Sequence, residues 1–502
     1  MIDHIVIVGG GTSGWLTAST LLYKTHPKNN IKITLIESKD IPIIGVGESV
    51  TGKMRDTILY HDHLGDEKEF FKETGSTFKY GIKHIDWYKK GEDFISPIGS
   101  DFDNYTDFPS VDYDYVRIYH IAEKLKYESP IQNQLMLQNK LYNEEDNKKQ
   151  SDCAYHIDGI KTSKYLRKKC LATNRINRIE STIKDIKLNE KGGIDSLTLE
   201  EGQTISADLF IDCTGFHRLL MNKIGAKFVS YKDNLLVNKA FVFPRPLGEN
   251  ETIKNYTTVT ARDYGWTFDI HLQNRNGRGY VFNSDMISVD SAIEEISKCY
   301  NEKIEPLKVL NFECGRIDRF WINNVLAVGQ SSQFVEPMEA TALHTTVLQF
   351  NHFMNYYFNN NLNMYEDDLH NQYNTYMTNY MNNVRDFITF HYISPRNDTD
   401  FWIESSSKKR WSNELQTKMN IWKNRMPRNT DYFYKGIDMN VGNSLWLQVG
   451  MGMNIFDSEI AKRELNYYGH YDRAKQTMRD IINYSTNYLK NCKTTNEYYK
   501  NL

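Results

Sequence analysis

The run Gly9-Gly10-Gly11-Thr12-Ser13-Gly14 follows an apolar stretch at 5–8 and precedes an apolar pattern of helical spacing from Trp15 to about Lys24. A glycine fingerprint between a buried strand and a helix admits few folds. Gly9 permits the tight turn. Gly11 lets the backbone approach a pyrophosphate, and Gly14 lets helix and strand pack closely. Asn29-Asn30 breaks the helix, and 31–36 forms a second apolar run ending at Glu37. This is a βαβ unit with an acid about twenty residues on, where a carboxylate accepts ribose hydroxyls. Phosphates would lie on the free N–H groups at the helix start, beside Thr12 and Ser13. The fold class is therefore α/β, with a Rossmann-like dinucleotide domain.

Two later segments favour FAD over NAD. Asp212-Cys213-Thr214-Gly215 ends a third buried run, as in FAD proteins whose turn passes the cofactor. Asn324-Val325-Leu326-Ala327-Val328-Gly329 ends another. Flavin hydroxylases carry an Asp after that glycine, whereas here Gln330 follows Gly329. A second glycine turn, Gly45-Val46-Gly47-Glu48-Ser49, adds Gly47 and Glu48 to the cofactor-binding candidates. There is no second strand-bound GxGxxG, so the flavin is expected to arrive already reduced.

The remaining pattern predicts a parallel sheet joined to an antiparallel sheet, followed by a mostly helical C-terminal region. Residues 162–170 read as helix and 183–199 as antiparallel strands around Lys191-Gly192-Gly193. Residues 80–150 read as a loop-rich insertion, and about 230–315 as a β-sheet on the substrate side. From Thr341 onward the pattern is helical, with Tyr373, Tyr376, Tyr380, Val384, Phe387 and His391 on one stripe. Loops are expected near Met426-Pro427 and at 450–452. The domain division is 1–340 for the FAD-binding part and 341–502 for a helical region completing the substrate site.

A net charge of −3 gives no electrostatic support for a nucleic-acid partner. The six cysteines form no CxxC pair, so no metal site is expected and a reduced, cytoplasmic chain is the plain reading. No apolar stretch is long enough to cross a bilayer, and no membrane partner is expected.

From residue 4 to about 455 the chain resembles the flavin-dependent halogenases of the tryptophan-halogenase type. The resemblance rests on the Gly9–Gly14 fingerprint, Gly45-Val46-Gly47-Glu48, Lys79, Tyr155-His156-Ile157-Asp158 and Asp212-Cys213-Thr214-Gly215-Phe216. It continues through Gly315-Arg316, Phe334-Val335-Glu336-Pro337-Met338-Glu339-Ala340-Thr341, Arg385-Asp386-Phe387, His391-Tyr392 and Phe401-Trp402. The family's W-x-W-x-I-P segment reads Trp266-Thr267-Phe268-Asp269-Ile270-His271 here. Trp266 and Ile270 match, and Phe268 supplies bulk in place of the second Trp. The resemblance implies that this segment keeps substrate away from the flavin. His271, in the proline's place, could bring a proton or a hydrogen bond near the flavin, but a place at the surface is the expectation.

The resemblance also implies the chemistry. Reduced FAD and O2 give a flavin C4a-hydroperoxide, and a halide ion attacks it to give hypohalous acid. Lys79 would then hold or polarise the oxidant for electrophilic halogenation of an electron-rich aromatic substrate, of indole or phenol type. Glu339 would accept a proton from the substrate's cationic intermediate or help orient the oxidant. Thr341 and Ala342 match the segment facing the halide at a helix start. Ala340 stands where the family usually has Ser, and the lost hydroxyl suits a larger, softer halide such as bromide or iodide. Trp402, Trp446 and Phe456 are candidates for the substrate pocket, each also readable as plain core. Taken alone, Lys79 reads as one solvated lysine among 61 basic residues. The implied partners are a separate flavin reductase, a small aromatic substrate and O2, and a homo-oligomer is compatible with the family. Two alternatives stand beside this reading: a flavin-dependent aromatic hydroxylase, and a flavin-binding redox sensor without catalysis.

Overall fold

In the computed structural model the structure describes residues 2–39, 47–98, 110–128, 130–143, 153–359, 361–431, 441 and 443–502. The chain forms two compact units. The first comprises Met1–Ser76, Ile157–Tyr231 and Glu313–Asn382; the second comprises Thr77–His156, Lys232–Phe312 and Asn383–Leu502.

The first unit is built on a six-stranded sheet. Its order is Trp321–Ile322, Val325–Ala327, Leu209–Asp212, His4–Val8, Lys32–Glu37 and Ile176–Glu180. All neighbours run parallel except the Trp321–Ile322 edge. The strands are continuous runs of Ile, Val, Leu and Phe because helices cover the sheet. Val8 lies opposite both Asp212 and Ile36, and Asp212 lies opposite Ala327. This register brings Gly9, Glu37, the Asp212 turn and Gly329 to one carboxyl edge, where open parallel sheets bind ligands. Helix Thr12–Lys24 packs between Gly159–Ala172 and Thr341–Tyr356.

The second unit holds a seven-strand path with one further strand at its side. The order is Lys308–Asn311, Lys239–Val242, Arg275–Phe282, Gly265–His271, Tyr256–Arg262, Gly81–Ile85 and Asp93–Pro97, and Arg245–Pro246 also pairs with Arg275–Phe282. Helix Val289–Tyr300 covers it through Ala292 and Ile296, which meet Phe241, Phe243, Tyr280 and Phe282. Helices Ser458–Tyr467 and Tyr471–Tyr488 pack on helix Ser110–Glu123.

The contacts give two units of three segments each, beside the expected division at 340/341. Within 80–150, the described residues include strands Gly81–Ile85 and Asp93–Pro97 and helices Ser110–Glu123 and Ile131–Gln138. Gly81–Ile85 pairs in parallel with Tyr256–Arg262, a non-local contact that no local alternation announces. Residues 450–452 are the last turn of helix Asn443–Gly452 rather than a loop. Their glycines make room for rings, since a Cβ at Gly450 would lie 2.1 Å from Phe456 and one at Gly452 would lie 2.2 Å from Phe94. Among the described residues no helix is long and apolar enough to cross a membrane.

Candidate active site

The glycine turn in the first unit has the geometry of a phosphate cradle. Gly9 sits at φ +113°, and a Cβ there would lie 2.3 Å from the Cys213 carbonyl oxygen. A Cβ on Gly14 would lie 1.9 Å from the Gly9 carbonyl oxygen, so helix and turn touch backbone to backbone. Gly11 differs. Its φ of −73° and ψ of −175° suit any residue, and an added Cβ would meet nothing within 4 Å among the described residues. Neither conformation nor protein packing calls for glycine here, which leaves the approach of a ligand as the reason. Gly11 also precedes helix Thr12–Lys24 without a side-chain cap, so the first-turn N–H groups face outward. These features fit a dinucleotide pyrophosphate. Gly11→Val is expected to fold normally and to lose at least about tenfold in FAD affinity, read by titration of flavin fluorescence.

Glu37 stands at its strand end. One carboxylate oxygen accepts from Arg178 and, at 3.3 Å, from Arg167; the other accepts from the Trp15 indole N–H at 3.3 Å. Gly10, to which the sequence reading gave no role, makes this possible, because a Cβ there would lie 1.7 Å from a Glu37 oxygen. Asp212 is fully buried and accepts from the Thr214 N–H and hydroxyl and from the Leu220 and Met221 N–H groups. Its carboxylate is thus committed to holding the turn and starting helix Leu219–Lys223. A Cβ on Gly329, at φ +77°, would lie 2.6 Å from the Ser13 hydroxyl. Gly47 is buried, and the preceding 40–46 lie outside the described residues. Burial and the charge of Asp158 raise the Glu48 carboxyl to about 7. Glu48 is therefore a group that can hold a proton near neutral pH.

A second feature of this unit is the segment before helix Thr341–Tyr356. Half-buried Glu339 ends a short 3₁₀ turn, Pro337–Glu339, and Ala340 then adopts φ +57°. The left-handed region is strained for an L-residue with a Cβ. Ala340→Gly is expected to raise stability by about 1 kcal/mol in denaturant unfolding. The kink leaves the helix N-terminus without a side-chain cap. The buried Thr341 hydroxyl has no hydrogen-bond partner among the described residues. Uncapped N–H groups beside an unpaired hydroxyl suit a small anion. On the same helix His344 Nδ1 lies 2.7 Å from the Thr51 hydroxyl, and burial lowers its imidazole to about 4, so it is neutral.

In the second unit, Lys79 is 1% exposed, which removes the solvated-lysine reading. It closes strand Thr77–Lys79, which pairs antiparallel with the strand carrying Tyr155 and His156. Three buried histidines share its surroundings. His84 stacks on Phe94 at 4.3 Å, and its ring centroid lies 5.7 Å from that of His391. Burial lowers His84 well below its ordinary value, and the charges of His391 and Lys79 act in the same direction. Burial and the Lys79 charge likewise lower His156, whose Nε2 lies 3.0 Å from the Thr257 hydroxyl. His391 donates from Nδ1 to the Phe387 carbonyl at 2.8 Å. Lys79 thus lies beside the neutral imidazoles of His84 and His156. No sequence pattern singled out His84, which reaches this place only because its strand folds against Tyr256–Arg262.

Strand Gly265–His271 places Trp266, Phe268 and Ile270 on one face, all buried. Phe268 covers Gly279 on the neighbouring strand, where a Cβ would lie 2.4 Å from the ring. The second family tryptophan is therefore replaced by a ring held against backbone. His271 is buried, not at the surface as expected; its carbonyl accepts from the Thr77 hydroxyl at 2.6 Å. Burial lowers its imidazole to about 4. Strand position explains this, since the other face is also packed, by Thr267 and by Tyr300 bonded to Asp269.

The aromatic pocket candidates are core in their contacts. Trp402 packs edge-to-face on Trp87 at 5.5 Å, lies under Arg396 and donates its indole N–H to the Arg262 carbonyl. Trp446 packs among Phe387, Phe390 and Trp422, and Phe456 packs on Trp422 and Gly450. Lys79, the Trp266 strand and these rings belong to the second unit, and the glycine cradle, Glu339 and Thr341 to the first.

Comparison with known proteins identifies a family. A family described as tryptophan halogenase matches residues 4–464. The tryptophan 7-halogenase RebH of Lentzea aerocolonigenes is 29% identical over 449 residues, spanning 85% of this chain and 83% of its own. The tryptophan 6-halogenase ThaL of Streptomyces albogriseolus is 28% identical over 452 residues, with coverage of 85% and 83%. The crystal structure of a tryptophan halogenase from Shewanella frigidimarina NCIMB 400 matches with a TM-score of 0.87 at 26% identity, covering 99% of this chain and 96% of that one.

Proposed function

Since the chain belongs to the tryptophan halogenase family of flavin-dependent halogenases, we propose that it halogenates an electron-rich aromatic substrate, of indole or phenol type, with hypohalous acid held at Lys79. The observation that carries the reading is the burial of Lys79 beside the neutral imidazoles of His84 and His156. Bound FAD, reduced by a separate reductase, would supply with O2 the two-electron oxidation of halide. The residues of the chain do the rest. The Gly9–Gly14 turn and the first N–H groups of helix Thr12–Lys24 hold the pyrophosphate, and Glu37 lies where ribose hydroxyls fall. The uncapped start of helix Thr341–Tyr356, with the Thr341 hydroxyl and the backbone of Ala342, binds the halide. Trp266, Phe268 and Ile270 supply the bulk of the family's barrier segment, which favours halogenation over hydroxylation.

Lys79 donates hydrogen bonds to the oxidant and makes its halogen more electrophilic. Glu339 takes the proton released when the ring regains aromaticity. Trp402, Trp446 and Phe456 support the substrate pocket as packed walls. The family's serine hydroxyl is absent at Ala340, so the halide site is more apolar than is usual and favours bromide or iodide over chloride. The test is competition among the three halides, with an indole acceptor, reductase, NADH and FAD, followed by mass spectrometry. Brominated or iodinated product in excess is expected. Excess chlorinated product would refute the halide preference, and no halogenated product with any of the three would refute the function.

A further inference from the structure

The three-residue strand that carries Lys79 is too short to fix itself, and its outer support comes from the far end of the chain. Alternation along the strand puts Thr77 and Lys79 on one face and Phe78 on the other. Thr77 is tied to His156 and to the His271 carbonyl on the Lys79 face. At the strand's unpaired edge, the Phe78 N–H donates to the Tyr499 hydroxyl at 2.7 Å, and the Phe78 ring lies 5.7 Å from that of Tyr498. Tyr499 belongs to the short helix Thr495–Lys500, which lies past residue 464, where the family match ends.

This helix is itself pinned by specific bonds. Thr494 and Glu497 form a reciprocal cap at its start. The Thr495 hydroxyl donates to the Ile253 carbonyl at 2.6 Å, and the Ile253 N–H donates to Asn496 at 2.9 Å. The Asn496 amide donates to the Glu251 carbonyl at 3.1 Å, and the Thr495 N–H to the Asn139 carbonyl at 2.9 Å. Two residues beyond Ile253, the Asn255 carbonyl accepts from the Tyr80 N–H at 2.7 Å. The backbone on both sides of Lys79 is thereby fixed, at Phe78 by Tyr499 and at Tyr80 by Asn255.

We propose that Tyr499 is a positioning residue for halogenation, its hydroxyl holding the Phe78 amide so that the Lys79 ammonium keeps the place from which it directs the oxidant. A loose strand would let the amine wander, and misplacement of a directing group costs rate without weakening substrate binding. The proposal rests on the assignment of Lys79 as the oxidant-holding group. It does not make Tyr499 a catalytic residue.

Tyr499→Phe removes one hydroxyl and keeps the ring. Halogenated product formed per reduced flavin oxidised is expected to fall at least fivefold, with KM for the aromatic substrate within twofold of wild type and the same thermal midpoint. Hydrogen exchange at residues 77–80 is expected to quicken. Lys79→Met is assayed alongside. If Lys79→Met retains wild-type halogenation, the underlying assignment falls, and the proposal with it. If Lys79→Met is inactive while Tyr499→Phe keeps the wild-type product-to-flavin ratio, the proposal alone is overturned. Should Tyr499→Phe yield little folded protein, Asn496→Ala, which loosens the same helix at Ile253, is read by the same ratio and KM. A fallen ratio at unchanged KM then supports the proposal, and a wild-type ratio overturns it.

Discussion

Replacing Lys79 by Met is expected to lower halogenation by about 10²-fold or more, with flavin affinity unchanged within twofold. Met preserves the straight apolar stem of a side chain that is already buried. What disappears is the charge and its three donors. The neighbouring imidazoles offer no substitute. Burial is the largest cause of the lowered values of His84 and His156, and it persists when Lys79 is removed. Loss of the Lys79 charge moves both upward, while burial, the larger cause, still disfavours an imidazolium. Flavin binding is spared because Lys79 is no part of the glycine cradle. Oxygen uptake by reduced flavin therefore continues while product falls, and paired measurement of the two separates loss of direction from loss of cofactor.

Glu339→Gln is expected to lower kcat by about 10²-fold while leaving the fold intact. The amide keeps the shape and the accepting oxygen but cannot take a proton. The carboxylate stands just before an uncapped helix N-terminus, where a negative charge stabilises by about 0.5 kcal/mol. A small drop in thermal midpoint is therefore expected, far too small to explain the lost rate. The halide site gains from the same change, because a negative charge two residues before Thr341 opposes an incoming anion. KM for halide is expected to stay level or fall. Steady-state kinetics at varied bromide separates the two: a rise in halide KM with kcat intact would assign Glu339 to halide binding instead of proton transfer.

The parts of the fold legible in the sequence were those fixed by local pattern. The Gly9–Gly14 turn lies between a buried strand and a helix, as does the Asp212 turn, and both express backbone needs that only a few residues meet. The hairpin around Gly192-Gly193 and the long helix ending at His391 are likewise local. Strand Gly81–Ile85 was hidden because its partner is distant and it pairs in parallel. The glycines of 450–452 were misread because a ring packed on a helical glycine leaves the same sequence trace as a loop.

The site divides along the same line. Gly11 could be read from the fingerprint, but only the structure shows open space where a Cβ would go. The roles of Lys79 and Glu339 came from resemblance, and composition alone favoured the opposite view of the lysine. Gly10, His84 and Tyr499 carry no motif; each matters through a neighbour that tertiary folding supplies. His271 was misplaced because a polar residue at a strand end reads as exposed until the packing on its second face is known.

The most direct measurement is the mass of the product formed from an indole and phenol panel with protein, reductase, NADH, FAD and bromide under heavy-oxygen gas. Halogenation predicts the isotope pair of one bromine replacing one hydrogen, with no heavy oxygen in the product. A product carrying a single heavy oxygen and no bromine would contradict halogenation and make the chain a hydroxylase.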